Sequence, residues 1–390
     1  MAESAPSTPL LSGVTIIDLS RVLAGPFCTM TLANLGARVI KVEIPGTGDD
    51  SRAFGPFANG KSLYFSAINC NKESIALNLK NADDRAIFET LLEKADVLVE
   101  NYRPGTMEKL GYGWDVLHPR FPHLIYGAAS GFGDSGPISQ RAAYDMVVQG
   151  LGGIMSVTGY PGQPPARVGI SIGDIAAGIY LANGITAALY RRAISGEANK
   201  IDIAMLDCQI AIMEDAVTAY DKTGEVPGPK GTRHPSIAPF QSFAAQDGNL
   251  VIAAGNDHLY RLMTEALERP DLATDARFVS NDLRHLNVDA LQAAMETTLR
   301  TRSVAAWLDA LNAKGVPCAP INDIPHMMQE PQVAARNMIV TVQDPVAGAI
   351  KVAGNPIKVV GAAEPASFAP PPELDADRAA ILAEFVGAGR

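Results

Sequence analysis

The first hundred residues alternate between short apolar runs and longer amphipathic stretches. Residues 14–19 and 37–43 are apolar runs of strand length, and the pattern over 26–35 between them is that of a helix. A second helix is predicted over 82–94, followed by a strand over 96–100. A strand, a helix and another strand within ~30 residues make a βαβ unit. The repeated alternation predicts an α/β fold with a mainly parallel sheet.

Residues 124–128 and 200–204 are predicted to form two more strands of this sheet. The longest apolar stretch, 172–190, contains Asp174 and Asn183. A buried helix explains these polar residues better than a membrane span does, so we expect a buried helix there and no membrane partner.

The pattern changes after residue 220. Residues 222–239 are rich in Gly and Pro and are predicted to form a linker. The elements predicted beyond it are a strand over 249–254, helices over 257–268, 290–299 and 303–314, strands from 340 onward, and a last helix over 377–386. At 390 residues the chain is long enough for two domains.

Composition limits the kinds of partner. With 47% hydrophobic and 19% charged residues, the chain has the composition of an ordinary globular protein. Its net charge of −10 argues against nucleic acid as the main partner, because a phosphate backbone requires a basic face. The four cysteines form no CxxC pair and residues 1–11 do not resemble a signal peptide, so we expect reduced thiols and a cytoplasmic protein.

Several familiar catalytic motifs are missing from the sequence. It contains no GxxxxGK[ST] phosphate loop and no GxSxG elbow, and its six histidines form no HxxxH or HExxH pair, so no metal site is expected. Residues 131–136 (GFGDSG) match GxGxxG, but Pro137 follows and no helix is predicted to open there. We therefore interpret this segment as a Gly-rich loop rather than a dinucleotide site.

Asp174 directly precedes a long helix predicted over 175–194. The structural interpretation is that Asp174 is an N-cap, and spacing alone favours it. The catalytic interpretation is that the helix N-terminus keeps the carboxylate ionised, as attack on a thioester requires. The glycines at 152, 153 and 173 would let a bulky ligand approach the backbone, although tight turns explain them as well.

Seven short motifs occur in a characteristic order along the chain. They are 21–26 (RVLAGP), 35–43 (LGARVIKVE), 48–52 (GDDSR), 69–74 (NCNKES), 99–105 (VENYRPG), 144–145 (YD) and 173–174 (GD). With these motifs the chain resembles, over nearly its whole length, the class III coenzyme A (CoA) transferases, the family of carnitine CoA-transferase and bile-acid CoA-transferase.

The resemblance implies an architecture. The large domain would be Rossmann-like and CoA-binding, with a smaller α/β domain inserted in it, and two chains would form an interlocked homodimer. The implied boundaries are 1–221 for the first part of the large domain, 222–239 for the linker, 240–330 for the small domain and 331–390 for the return segment.

The resemblance also implies a mechanism centred on Asp174. Its carboxylate would attack an acyl-CoA thioester, giving a mixed anhydride and a CoA thiolate, and the thiolate would return to make an aspartyl-CoA thioester. The acceptor carboxylate would then attack, and CoA would move onto the acceptor acid. This is covalent catalysis, in which CoA is a substrate and no prosthetic group is needed.

Twelve residues complete the site that the resemblance implies. Contacts to CoA are assigned to Arg21, Val22, Ala24, Lys72, Asn101, Tyr102 and Lys109. Contacts to the acyl group and acceptor are assigned to Leu23, Tyr144, Gly152, Gly153 and Arg167. Arg and Lys suit the CoA phosphates, although each lysine is equally explained as exposed charge. Ile44 and Ala142 stand where many relatives have Arg and some have Lys, so the phosphate contacts are expected to differ here.

Related activities remain as alternatives. The α-methylacyl-CoA racemases use His-Asp where this chain has Tyr144 and Asp145, and a tyrosine with a pKa of ~10 serves poorly as the second proton carrier. Formyl-CoA:oxalate CoA-transferases have Gln at the position of Leu23. A non-catalytic acyl-CoA-binding protein is a third possibility, which retention of Asp174 disfavours.

The acceptor is expected to be a small dicarboxylic acid and the donor succinyl-CoA. This expectation rests on the start of the predicted small domain, 234–240 (HPSIAPF), which resembles that of transferases for such acids. Arg167, Arg233 and His234 are the candidates for binding the distal carboxylate. Surface charge in loops is the alternative explanation for each of them.

Overall fold

The computed structural model describes residues 8–362, 365 and 367–387. The strands in this part of the chain are β1 (Thr15–Asp18), β2 (Arg38–Glu43), β3 (Phe57–Ala58), β4 (Lys61–Ser62), β5 (Lys72–Ala76), β6 (Val97–Glu100), β7 (Ile125–Ser130), β8 (Lys200–Ala204), β9 (Phe240–Ala244), β10 (Asn249–Ala253), β11 (Cys318–Pro320), β12 (Ile339–Asp344) and β13 (Gly348–Ala353).

Helices connect the strands. In the first half of the chain they are α1 (Ala24–Ala33), α2 (Leu63–Asn69), α3 (Ala82–Lys94), α4 (Thr106–Leu110), α5 (Trp114–Arg120), α6 (Asp145–Leu151), α7 (Ile154–Val157) and α8 (Ile172–Ser195). In the second half they are α9 (Met205–Ala211), α10 (Ala216–Thr223), α11 (Asp257–Ala266), α12 (Pro270–Thr274), α13 (Asn281–Leu286), α14 (Val288–Leu299), α15 (Val304–Ala313), α16 (Ile324–Gln329), α17 (Pro331–Ala335) and α18 (Arg378–Phe385).

Six parallel strands form the large sheet, in the order β5-β2-β1-β6-β7-β8. Counted along the chain, this order is 3-2-1-4-5-6, that of doubly wound nucleotide-binding folds. The predicted α/β fold with a parallel sheet is confirmed. The order reverses between β1 and β6, where ligands bind in such sheets, at the carboxyl ends of the strands.

The sheet is buried on both faces, as parallel sheets are. Ile17 of β1 packs into the core on one face with Phe88 of α3, and its neighbour Ile16 packs on the other face with Leu181 of α8. Helix α3 is capped by Asn81, whose side-chain oxygen accepts hydrogen bonds from two backbone amides of the first turn. These local signals explain why the prediction for α3 matches its observed bounds.

Helix α8 is the one described helix that is long and apolar enough to cross a membrane by length and composition. Within the fold it packs against α1 and β7, and its Leu181 and Ile185 are fully buried. It ends at Gly196, whose φ of 76° is the left-handed conformation common after helices. This packing is that of a core helix.

The chain divides into two compact units. The larger comprises Met1–Met155, Arg167–Gly224 and Pro331–Arg390, and the smaller comprises Ser156–Ala166 and Glu225–Glu330. The sequence placed 156–166 in the large domain, but the Gly231 N–H donates to the Gly159 carbonyl at 2.8 Å, which joins this segment to the smaller unit. Most of the segment predicted as a linker likewise lies within the smaller unit.

The smaller unit has its own core. Its antiparallel sheet, β11-β10-β9, packs with the surrounding helices around the fully buried side chains of Leu250, Met295 and Trp307. Arg284 is also fully buried, and it donates to the carbonyls of Ala238 and Phe278. These contacts satisfy a charged group that burial would otherwise destabilise.

Candidate active site

A cavity of about 190 Å³ opens at the reversal point of the large sheet. Its walls come from the loops after β1, β6 and β7, from the segment before α6 and from the first turn of α8. The lining residues include Arg21, Val22, Leu23, Ala24, Asp50, Asn101, Tyr102, Arg103, Ser130, Gly131, Arg141, Ala143, Tyr144, Asp174 and Met205. We refer to it as the first cavity.

Asp174 lies inside the first turn of α8 rather than at its N-cap. The N-cap is Ser171, whose side chain makes no capping hydrogen bond. The structural interpretation of Asp174 as a capping residue is therefore wrong. The helix instead places this carboxyl group in the wall of the first cavity.

Asp145, at the start of α6, supports the turn that carries Asp174. Its carboxylate accepts a hydrogen bond from the Gly173 N–H at 2.9 Å and another from the Gln149 side chain at 2.7 Å. Burial, and secondly the charge of Asp145, raise the pKa of Asp174 to about 7. With a pKa near neutral, the Asp174 carboxyl group is ionised in only part of the molecules at pH 7.

The nearby glycines are required by packing. A Cβ at Gly173 would lie 2.7 Å from Val148 Cγ2, and one at Gly152 would lie 2.6 Å from Gln209 Cγ. Gly153 has a φ of 85°, which favours glycine. Gly152 and Gly153 are absent from the described lining of the first cavity, so their position does not support the predicted substrate contact.

Asn101 fastens the turn after β1 to the loop after β6. Its side-chain oxygen accepts from the Arg21 N–H at 2.9 Å, and its side-chain nitrogen donates to the Arg21 carbonyl at 2.7 Å. The Arg21 guanidinium lies 5.6 Å from the centre of the Tyr102 ring. Five of the residues predicted to bind CoA, all except the two lysines, therefore lie together at this edge of the sheet.

A second cavity, of about 440 Å³, adjoins the same turn. It lies beyond β2 and β5, and its apolar lining includes Ile44, Leu79 and Leu110. Arg21 and Tyr102 line both cavities. The two spaces thus share a wall within the larger unit.

The sequence matches the family model "CoA-transferase family III" over residues 11–378. The chain belongs to this family. It is 45% identical to the acetyl-CoA:oxalate CoA-transferase of Acetobacter aceti, over 99% of this chain and 98% of the relative. It is 37% identical to the human succinyl-CoA:glutarate CoA-transferase, over 96% and 86% of the two chains. The predicted family is confirmed.

A solved structure shows the same fold. The CAIB/BAIF family protein from Brucella suis aligns with a TM-score of 0.86 and 35% identity, over 97% of this chain and all of that one. The transferase fold described above is therefore one that experiment has found in a relative.

The two predicted lysines lie elsewhere in this transferase. Lys72 is fully buried, 3.2 Å from Asp18, and also donates to Asn69 and to the Pro26 carbonyl. Burial lowers the pKa of Lys72 to about 8. Lys109 is exposed on α4 and is absent from the described linings. Neither position supports the predicted contact with CoA, and sequence alone does not reveal such burial.

The candidates for a distal carboxylate are also dispersed. Arg167 has one guanidinium nitrogen 3.6 Å from Asp145, and it is absent from the described cavity linings. Arg233 belongs to the smaller unit, where it pairs with Asp289 at 2.7 Å. The ring of His234 stacks on Phe240, also in that unit. Tyr144, in contrast, is largely exposed and lines the first cavity.

The transferase also places residues in the site that the motifs did not single out. Arg103 and Arg141 line the first cavity, and in the described part of the chain neither has an acidic partner within ion-pair distance. Tyr64 is close enough for Asp174 to act, after burial, in raising its pKa to about 12. Arg141 directly precedes Ala142, the position at which some relatives have Lys. A basic residue next to that position is the sequence signal that could have identified Arg141.

Among the described residues no group of three or more His, Cys, Asp or Glu side chains is placed to hold a metal ion. The first cavity of this transferase brings together one carboxyl group with a raised pKa, three arginines and two tyrosines.

Proposed function

We propose that this transferase moves CoA from an acyl-CoA, with succinyl-CoA as the expected donor, onto a small dicarboxylic acid through an aspartyl-CoA thioester on Asp174. The observation that carries the proposal is the state of the two acids lining the first cavity. Asp50 is paired with Arg21 at 3.0 Å and is more than half exposed. Asp174 has no cationic partner in the described part of the chain and is mostly buried, so its carboxylate is the more nucleophilic.

The chemical sequence balances without another reactant. The Asp174 carboxylate attacks the thioester carbon, and the carbon–sulfur bond breaks to give an anhydride and the CoA thiolate. The thiolate attacks the aspartyl carbonyl, releasing the donor acid and leaving an aspartyl-CoA thioester. The acceptor carboxylate attacks the aspartyl carbonyl of that thioester, and the carbon–sulfur bond breaks to give a second anhydride and the CoA thiolate. The thiolate then attacks the acceptor's acyl carbon in this anhydride, which forms the new acyl-CoA and releases the Asp174 carboxylate. We propose that no prosthetic group takes part.

The cavities suggest how acyl-CoA lies. The second cavity, at about 440 Å³, falls in the range of ~300–1,000 Å³ typical for ligands of substantial size, so we assign it the nucleotide end of CoA. Arg21 and Tyr102 line both cavities, so they would contact the CoA chain as it passes from one to the other. The thioester would then lie beside Asp174.

The acceptor is assigned from the first cavity and the relatives. At about 190 Å³ the cavity suits a small acid, and the unpaired guanidinium groups of Arg103 and Arg141 suit a second carboxylate. The two relatives described above are transferases named for oxalate and glutarate, both dicarboxylic acids. We propose that Arg141 and Arg103, rather than Arg233 or His234, bind the distal carboxylate.

We also propose that the chain forms a homodimer. Helix α8 presents a stripe of exposed apolar side chains, Ile179, Tyr180, Tyr190 and Ile194, along the face opposite its buried one. An exposed apolar stripe of this length favours contact with another protein surface. In a two-fold symmetric dimer the same stripe on a second copy would cover it. Light scattering at micromolar concentration should give twice the mass of one chain, and a monomer would contradict this.

Cytoplasmic location stays a prediction from the cysteines.

The test of the activity is a competition among acids. Purified protein is incubated with succinyl-CoA or acetyl-CoA and a pool of mono- and dicarboxylic acids that includes oxalate and glutarate, and new acyl-CoAs are identified by mass spectrometry. We expect CoA thioesters of dicarboxylic acids to form. They should be absent with Asp174→Ala and still form with Asp50→Asn. Products from monocarboxylic acids alone would contradict the proposed acceptor.

The alternatives give different results in the same experiment. If no acyl-CoA forms while a 2-methylacyl-CoA exchanges its α-proton with heavy water, the protein is a racemase. If CoA binds and neither reaction occurs, it is a binding protein.

A further inference from the structure

The turn between β1 and α1 has a strained backbone. Val22 has a φ of 65°, in the left-handed region that β-branched residues avoid. Backbone strain of this kind persists only where surrounding contacts impose it, and it occurs often at functional sites. Val22 is in the wall of the first cavity, between Arg21 and Leu23.

A buried carboxylate holds Val22 in this conformation. The Val22 N–H donates to Asp49 Oδ1 at 3.1 Å, and the same oxygen accepts from the Ser51 N–H and hydroxyl at 2.8 and 2.7 Å. Asp49 is buried and lies on the segment after β2. Because its carboxylate is an ionised acceptor, the bond to Val22 is of the stronger, charge-assisted kind.

Lys41 fixes Asp49 in turn. The ammonium group is fully buried, 2.8 Å from Asp49 Oδ2, and it donates to the Ser20 carbonyl at 2.6 Å. The charge of Lys41 and the hydrogen bonds outweigh burial and hold the pKa of Asp49 at about 2, so the acceptor stays ionised at any working pH. Lys41 therefore contacts both the Ser20 carbonyl, at the start of the turn, and Asp49, which accepts the hydrogen bond from Val22.

We propose that Asp49 is a positioning residue for CoA: by holding Val22 in the left-handed conformation, it sets the turn that separates the two cavities. The inference rests on the proposed function, because the turn carries Arg21, which lines both cavities and would contact CoA. Asp49 itself lines the second cavity, but its carboxylate is engaged by the Val22 N–H and by Lys41.

Relaxation of Val22 to a negative φ would redirect the peptide between Arg21 and Val22. The two hydrogen bonds between Arg21 and Asn101 depend on the orientation of this turn. Without Asp49, the wall shared by the cavities would therefore lose its defined shape. CoA would bind more weakly, while the chemistry at Asp174, on a different element, would be affected less.

The experiment measures the dissociation constant of free CoA by calorimetry, so it requires no turnover. Asp49→Ala should weaken CoA binding by about tenfold to a hundredfold, the range that backbone strain of this kind represents. The matched control is Asp344→Ala, which removes another buried aspartate. Asp344 lies 2.6 Å from a buried lysine, Lys61, and accepts from two backbone amides, but it lines neither cavity. This control should lose stability and keep its affinity.

A second background separates positioning from general damage. Glycine adopts a positive φ without strain, so in a Val22→Gly background the turn no longer depends on Asp49. We expect Asp49→Ala to weaken CoA binding by less than about threefold there, although the change in stability remains. If Asp49→Ala fails to fold, Asp49→Asn is compared in the same two backgrounds.

The outcomes are distinct. An equal loss of affinity in both backgrounds, or no loss in either, would overturn the role of Asp49. Failure of the unaltered protein to bind CoA would instead overturn the proposed function itself.

Discussion

Replacing Asp145 by Asn tests the electrostatic account of Asp174. The nucleophile is the carboxylate, and with a pKa of about 7 only about one-tenth of Asp174 is ionised at pH 6. Removing the charge of Asp145 lowers that pKa, so the ionised fraction at pH 6 rises, by at most about tenfold. The gain should fall short of this limit because burial, the larger cause, remains. Asn can still accept the hydrogen bond from Gly173.

The assay is the pH profile of kcat/KM for the acyl-CoA donor between pH 5 and 8.5, which reports the free enzyme. The unaltered protein should lose rate about tenfold per pH unit below pH 7, and the midpoint of the Asp145→Asn profile should move to lower pH. Asp50→Asn, which alters the other acid lining the cavity, should leave the midpoint in place. A flat profile, or an equal midpoint in Asp145→Asn, would refute the reasoning.

Three further predictions follow from the same contacts. Asp174→Asn should raise the free energy of unfolding at pH 8 by at most ~4 kcal/mol, because the folded state disfavours the ionised carboxyl group. The gain, measured in urea melts, should vanish at about pH 3, below the unfolded pKa of 3.8. Arg141→Gln should raise KM for the dicarboxylic acceptor about tenfold or more while KM for acyl-CoA stays within a factor of two, and an equal rise in both would contradict a role in acceptor binding. Gly173→Ala should reduce kcat by at least about tenfold, since its Cβ would lie 2.7 Å from Val148, and unchanged kinetics would show that the first turn of α8 can shift freely.

Much of the larger unit could be predicted from the chain because its signals are local. The caps and acidic first turn of α3 and the apolar runs of β1 and β6 are visible in sequence. The first residue of α8 is harder to predict from the sequence. Its first residues, Ile172 and Gly173, have weak helix-start signals, and only the hydrogen bond from Gly173 to Asp145, 28 residues away, shows that the turn is already formed.

The candidate site residues show the same difference between local signals and long-range packing. The residues that the resemblance assigned to the turns after β1 and β6 lie together in the structure, because the two strands are parallel neighbours and their carboxyl ends meet at one edge of the sheet. Lys72 was misplaced because its burial against Asp18 depends on the packing of three elements. The attachment of 156–166 to the smaller unit depends on a contact with Gly231, far along the chain, which no local pattern records.

The position of Asp174 on helix α8 is fixed by core packing, whereas the rest of the first cavity is formed largely by loops. Asp174 is carried by a helix whose other side is locked into the core, so its position tolerates little variation. The residues around it come from loops after three different strands, and loops accept substitution and insertion readily. A lineage could therefore exchange one acid substrate for another by altering loops, without rebuilding the nucleophile. This division of labour makes the scaffold evolvable, and it fits relatives named for different acids.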